Sequence, residues 1–452
     1  MITPYTQEYM QRLKGLMEKP YTLKSRDRDD ISIKRGLRNA DGTGVLIGVT
    51  NIGSVQGYYM EDGERVPMPG KLYYRGISLE DIVESHRKNG TFGFTEVVFL
   101  LLVGRLPTES QLKEFEAMLA EARSLPSGFV EDMILRAPSQ DIMNKLARSV
   151  LALYSYDSQP NDLSPENLIR QSIELVARFP TIVANAYATK RHYYDKDSLY
   201  IHNSNPALSV AEDFLRMLRK DNSFTDEEAH LLDLMLMIHA EHGGGNNSTY
   251  VCRAMSSSHT DTYSAIAGAV GSLKGPLHGG ANAKVMEMFR NVQEHVKDHE
   301  DEDEISAYLS QILQGKAGDG SGKIYGLGHA VYTMSDPRCE LLKKYSMEVA
   351  RKSGHMDDLA LMMRIEKCGI PLIMQAKNLD IPICANVDMY SGLIYSFLNI
   401  PPELFTPLFA IARVSGWCAH RMEELLTCNR IHRPAYRASK LRVPYTEMKD
   451  RK

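Results

Sequence analysis

An almost wholly α-helical fold with a small β-rich entry is predicted by three observations. Apolar residues recur at three- and four-residue intervals through most of the chain, the spacing of one buried helical face. Strand signals are confined to the stretch from Val45 to Tyr74, where Val-Leu-Ile-Gly-Val, Gly-Tyr-Tyr and Lys-Leu-Tyr-Tyr are punctuated by Gly, Asp and Pro. Nothing resembles a series of strands alternating with helices, so a doubly wound nucleotide-type sheet is not expected.

Helix starts are legible at several points. Thr108 with Gln111 and Thr225 with Glu228 have the spacing of a capping box, and Ser335-Asp336-Pro337 offers a cap followed by proline in the first turn. The acidic run His299-Glu-Asp-Glu-Asp-Glu304 reads as a solvated face or a helix start. The glycine-rich Gly315-Lys-Ala-Gly-Asp-Gly-Ser-Gly-Lys323 superficially suggests a phosphate loop. However, Ala317 stands where the first Walker glycine is needed and Ile324 where Ser or Thr would bind magnesium, which rejects a nucleotide triphosphatase.

The chain has 452 residues, 43% of them apolar, enough for a sizeable core and for two or three domains by length alone. A net charge of −4, spread along the chain, favours neither nucleic acid nor an anionic membrane surface as partner. The six cysteines form no Cys-x-x-Cys pair, against a zinc ribbon or a thioredoxin-type motif, and read as reduced packing residues. The N-terminus carries Glu8 and Glu18 and no apolar core, unlike a secretory signal or transit peptide. The densest apolar run, Val97 to Val103, is far too short to cross a bilayer. A soluble cytoplasmic protein is expected.

Chemistry is suggested by three distant segments that set one ionisable residue among glycines or at a helix start: Gly275-Pro-Leu-His278-Gly-Gly, Gly326-Leu-Gly328-His329-Ala-Val-Tyr332 and Asn386-Val-Asp388-Met-Tyr-Ser-Gly392. Two imidazoles and a carboxylate make an acid/base set. His278 precedes the helical face Ala281, Val285, Met288, Phe289 and Val292, so it is expected at a helix N-terminus, where the dipole keeps the ring neutral. A structural capping histidine is the alternative. His329 has Arg338 nine residues on, a pairing suited to a small dianion with a carbonyl to polarise, or else a loop histidine and a solvated arginine. Asp388 opens an apolar helix, a setting that raises its basicity, and is also compatible with an N-cap.

Arg413 sits in a stretch apolar on nearly every face and should therefore have a carboxylate partner, from the protein or from a ligand. His239 and His242 end a helix at three-residue spacing. Because Ala240 follows His239, this is not the His-Glu-x-x-His of a zinc hydrolase, and a substrate-binding role fits better.

These segments, with Tyr73-Tyr-Arg-Gly76, Leu100-Leu-Leu-Val-Gly-Arg-Leu-Pro-Thr108 and Arg433-Pro434, resemble the citrate synthase family over most of the chain. The resemblance implies an all-α, two-domain fold working as a homodimer that closes over its substrates. The large helical domain would take residues 1–279, the small one 280–399, and 400–452 would complete the large one. It also implies that Asp388 removes a methyl proton from acetyl-CoA, that His278 steadies the enol, and that His329 polarises and protonates the oxaloacetate carbonyl. His242, Arg338 and Arg413 would bind oxaloacetate, and Arg433 would reach into the partner subunit's site. Acetyl-CoA is a co-substrate; no metal and no permanently bound cofactor are implied. The near relative 2-methylcitrate synthase uses propionyl-CoA, and one methylene is worth only about 1–3 kcal/mol. A catalytically inactive helical scaffold is the rival of a different class. Many relatives read Gly-His-Arg-Val-Tyr-Lys after the second histidine. Here Ala330 and Thr333 replace the basic residues, removing an expected contact with a CoA phosphate.

Overall fold

The computed structural model describes residues 34–39, 43–436 and 443–451. They fall into two compact units, one from the terminal stretches up to Gly48 and from His432 onward, the other from Val49 to Ile431. In the terminal unit, Arg38 bridges Gly44 and short 3-10 turns lie at Arg35–Leu37 and Met448–Asp450. The expected strand at Val45–Val49 does not form. Leu46 is 85% exposed and Val49 87%, because this stretch has no neighbouring strand among the described residues to complete a ladder.

The larger unit begins with an antiparallel sheet of β1 (Gly53–Glu61), β2 (Glu64–Tyr74) and β3 (Ile77–Ser78) in that order. The β1–β2 register slips between Gln56 and Tyr58, against a stretch of β2 that contains Pro67 and Pro69, which have no amide to give to a ladder. At the end of β2, the Tyr74 hydroxyl donates to the Met237 carbonyl at 3.0 Å.

Helices follow to the end of the unit: α1 (Leu79–Asn89), α2 (Phe94–Val103), α3 (Glu109–Ala122), α4 (Ile142–Leu153), α5 (Pro165–Asp195), α6 (Val210–Leu218), α7 (Asp226–His239), α8 (Asn247–Ser256), α9 (Thr262–Leu273), α10 (Ala281–His295), α11 (Glu302–Leu313), α12 (Pro337–Ser353), α13 (Met356–Lys377), α14 (Asp388–Phe397) and α15 (Phe405–Thr427). Both capping boxes close as expected, at the head of α3 and of α7. Asp336 caps α12 with Pro337 in its first turn, and Asp301 of the acidic run caps α11.

Helices α7 and α15 are apolar nearly all round and lie inside the core, as such helices must. Of the six cysteines, all unpaired, five are buried. No helix among the described residues is long and apolar enough to cross a membrane.

Candidate active site

Four helix ends and the middle of α15 meet in one polar region of the core. His239 closes α7 and His242 follows three residues later. His278 lies in the turn between α9 and α10, His329 in the turn before α12, Asp388 at the first position of α14, and Arg413 within α15. Backbone bonds lock the second and third motif segments together. Gly328 N donates to the Cys384 carbonyl at 2.8 Å and Asn386 N to the Gly326 carbonyl at 2.9 Å, while Asn386 Nδ2 reaches the Gly328 carbonyl at 2.9 Å. Gly326 has φ of +84°, and a side chain there would meet Met389, so glycine is required where these two turns touch.

His329 accepts hydrogen bonds at Nδ1 from the amides of Val331, at 3.1 Å, and Tyr332, at 3.0 Å. Both donors are backbone N–H groups, so Nδ1 carries no proton and the neutral ring bears its proton on Nε2. Its ring stacks on Tyr332 at 4.6 Å and meets the edge of His242 at 5.2 Å. The same logic fixes His278. Its Nε2 accepts from the Ser248 amide at 3.3 Å, which puts the proton on Nδ1. Ser248 is held in turn by Trp417 Nε1 of α15 at 3.1 Å.

His278 is held neutral, its pKa lowered to about 4, by burial and then by the charge of Arg413. This corrects the expected cause: the ring sits in the turn ahead of the N-cap Gly280, and desolvation with a nearby cation suppresses its charge. His239 and His242 are pushed well below the usual imidazole range, chiefly by burial and then by Arg338. Among the described residues neither ring nitrogen of His239 has a partner, nor has Nε2 of His242. Among the described residues no group of three or more His, Cys, Asp or Glu is placed to hold a metal ion.

Asp388 does not cap its helix. Val387 occupies the N-cap, and the Asp388 amide donates to Asn386 Oδ1 at 3.0 Å. Burial raises the Asp388 carboxyl to about 6 despite the opposing charge of Arg338. Arg338 itself is buried and donates through Nε and Nη2 to Asp336, at 3.0 and 2.7 Å. Burial alone would lower its pKa, but the Asp336 carboxylate beside it reverses the sign and holds the cation firmly charged. The second oxygen of Asp336 also accepts the Val387 amide at 3.2 Å, joining the head of α12 to that of α14.

Arg413 is the most exposed to its own cost. It is fully buried, gives Nε to the His239 carbonyl at 2.6 Å, and lies over the Phe409 ring at 4.6 Å. Among the described residues its Nη1 and Nη2 have no partner, and no carboxylate forms an ion pair with it. Burial lowers its pKa to about 10, with Glu241 opposing, so it remains a cation at neutral pH. Its field reaches His239, His242, His278 and Asp388. Arg433 is exposed and belongs to the terminal unit.

Several supporting residues had no local signal. Ser248 acts from 30 residues away on His278, and the buried carboxylate of Glu241 accepts from His420 Nε2 at 2.9 Å. Asn386 stood inside a motif segment, but its bonds across to Gly328 depend on the fold.

A family model described as citrate synthase, C-terminal domain, matches residues 40–435. The chain belongs to the citrate synthase family. Citrate synthase of Deinococcus radiodurans is 37% identical over 84% of this chain and 93% of its own length. A 2-methylcitrate synthase of Shewanella oneidensis is 33% identical over 80% of this chain and 87% of its own. Among solved structures, the ternary complex of carboxymethyl coenzyme A and oxaloacetate with citrate synthase from Thermoplasma acidophilum superposes with a TM-score of 0.76, at 26% identity. The match covers 93% of this chain and 99% of that one. The all-α citrate synthase fold with its small sheet is thus the fold of this chain, and the chain is an enzyme of that family.

Proposed function

We propose that the protein condenses acetyl-CoA with oxaloacetate and hydrolyses the citryl-CoA intermediate to citrate and CoA. The observation that carries this reading is Arg413: a buried guanidinium with two unpartnered nitrogens, beside neutral histidines and a carboxyl of raised pKa. Such a cation calls for a small anionic ligand.

In this reading Asp388 takes a proton from the methyl carbon of the thioester while His278 Nδ1–H donates to its oxygen, giving the enol. The enol carbon attacks the keto carbon of oxaloacetate as His329 Nε2–H donates to the keto oxygen. Water then cleaves the thioester and releases CoA as the thiol. His242, Arg338 and Arg413 hold oxaloacetate, with Arg433 contributed from a second copy in a homodimer. Residues 280–399 act as the small domain, closing on the remainder to exclude water before condensation. No resident cofactor is needed, and the enzyme works in the cytoplasm.

The test follows CoA thiol release from acetyl-CoA and propionyl-CoA, with and without oxaloacetate. Release should require oxaloacetate, with kcat/KM greater for acetyl-CoA. A ratio favouring propionyl-CoA would make the protein a 2-methylcitrate synthase, the reading some relatives' names favour. No release from either thioester would remove both.

A further inference from the structure

The β1–β2 hairpin meets the turn after His329 at two points where no side chain fits. A Cβ on Gly57 would lie 2.8 Å from Tyr332 Cα and closer still to the Val331 carbonyl oxygen. A Cβ on Gly70 would lie 2.7 Å from the Tyr332 ring, 3.0 Å from Pro337 Cδ, and closer still to the Ser335 carbonyl oxygen. Most of these neighbours are backbone and cannot swing away. Two hydrogen bonds cross the same contact: Thr333 Oγ1 donates to the Gly57 carbonyl at 3.1 Å, and the Gly70 amide to Ser335 Oγ at 3.1 Å.

The hairpin is built for this contact. Gln56 pairs with Lys71 and Tyr58 with Pro67, so Gly57 and the segment Met68-Pro69-Gly70 form one irregular patch in the ladder. Such a patch leaves backbone groups free to bond elsewhere, and here they bond the turn. The gripped turn supplies the Val331 and Tyr332 amides that orient His329, and it runs directly into Asp336 and Arg338 at the head of α12.

We propose that the hairpin is a positioning clamp for the reaction, with Gly57, Gly70, Thr333 and Ser335 as positioning residues that hold His329 and Arg338 in their oxaloacetate-binding geometry. It rests on the citrate synthase reading above. The Thr333 hydroxyl is spent on the clamp.

Calorimetric binding of oxaloacetate and steady-state kinetics test it. Thr333→Val keeps the side-chain shape and removes one hydrogen bond. It should weaken oxaloacetate binding by about five-fold while the melting temperature and the KM for acetyl-CoA stay unchanged. Thr333→Ser should restore binding to within about two-fold of wild type. Gly57→Ala pushes on the amides that orient His329 and should lower kcat by about ten-fold or more. If it fails to fold, Thr333→Val alone decides. Wild-type oxaloacetate affinity in Thr333→Val would overturn the clamp. Absence of oxaloacetate binding by the wild type would instead overturn the reading on which it rests.

Discussion

Asp388→Ala should fold as the wild type does and lose condensation, with kcat reduced by about 10²–10⁴-fold, the usual worth of a positioned general base. The fold is spared because Asp388 is not the cap of α14 and no hydrogen bond from the described residues ends on its carboxylate. Its chemistry is not spared. Burial lifts this carboxyl to about 6, close to the working pH and therefore a better proton acceptor than an exposed aspartate. The base works only when ionised. Activity should thus be full above about 6 and fall about ten-fold per unit as the pH drops below it, whereas an ordinary aspartate would keep activity down to about pH 4. A pH profile of kcat/KM, with circular dichroism at each pH to confirm folding, checks both points. Near-normal turnover of Asp388→Ala would refute the assigned role.

His278→Ala is expected to cost about 10²–10³ in kcat, the typical loss of one oxyanion-stabilising donor. The Ser248 amide occupies Nε2, so the ring has a single proton, on Nδ1, and that proton is free to meet a developing enolate. With its pKa near 4 the ring is neutral at any working pH, so removal subtracts a hydrogen-bond donor and no charge. The side chain is half-buried and among the described residues hydrogen-bonds to Ser248 alone, so the melting temperature should barely move. Steady-state kinetics beside a thermal melt separates the two effects. A large fall in melting temperature with kcat preserved would reassign His278 to a structural cap.

How much of this was legible in the sequence depends on the range of each interaction. The capping boxes at Thr108 and Thr225 and the Asp336-Pro337 start are local, and each appears where the spacing puts it. The strand signal at Val45–Val49 misled because a strand is completed by its neighbour, and no strand among the described residues pairs with that stretch. The motif segments pointed to His278, His329 and Asp388, yet what tunes them is distant in sequence. Thr333 reaches Gly57 across 276 residues and Glu241 meets His420 across 179. Composition cannot reveal such pairs, although an isolated glycine within a strand pattern does mark a close backbone approach, and Gly57 and Gly70 are such glycines. Arg413 shows both sides. Its apolar surroundings announced a buried cation in need of an anion, and only the fold reveals that no described residue supplies one to its terminal nitrogens.

The most direct measurement is exchange of the acetyl-CoA methyl protons with deuterated solvent in the presence of malate, a dicarboxylate with no keto group to attack. It isolates proton removal from carbon–carbon bond formation. The wild type should wash deuterium into the methyl group, with Asp388→Ala and His278→Ala each slower by at least about 10²-fold, since both groups act on that one step. Exchange at the wild-type rate in either variant would contradict a shared site for the two residues.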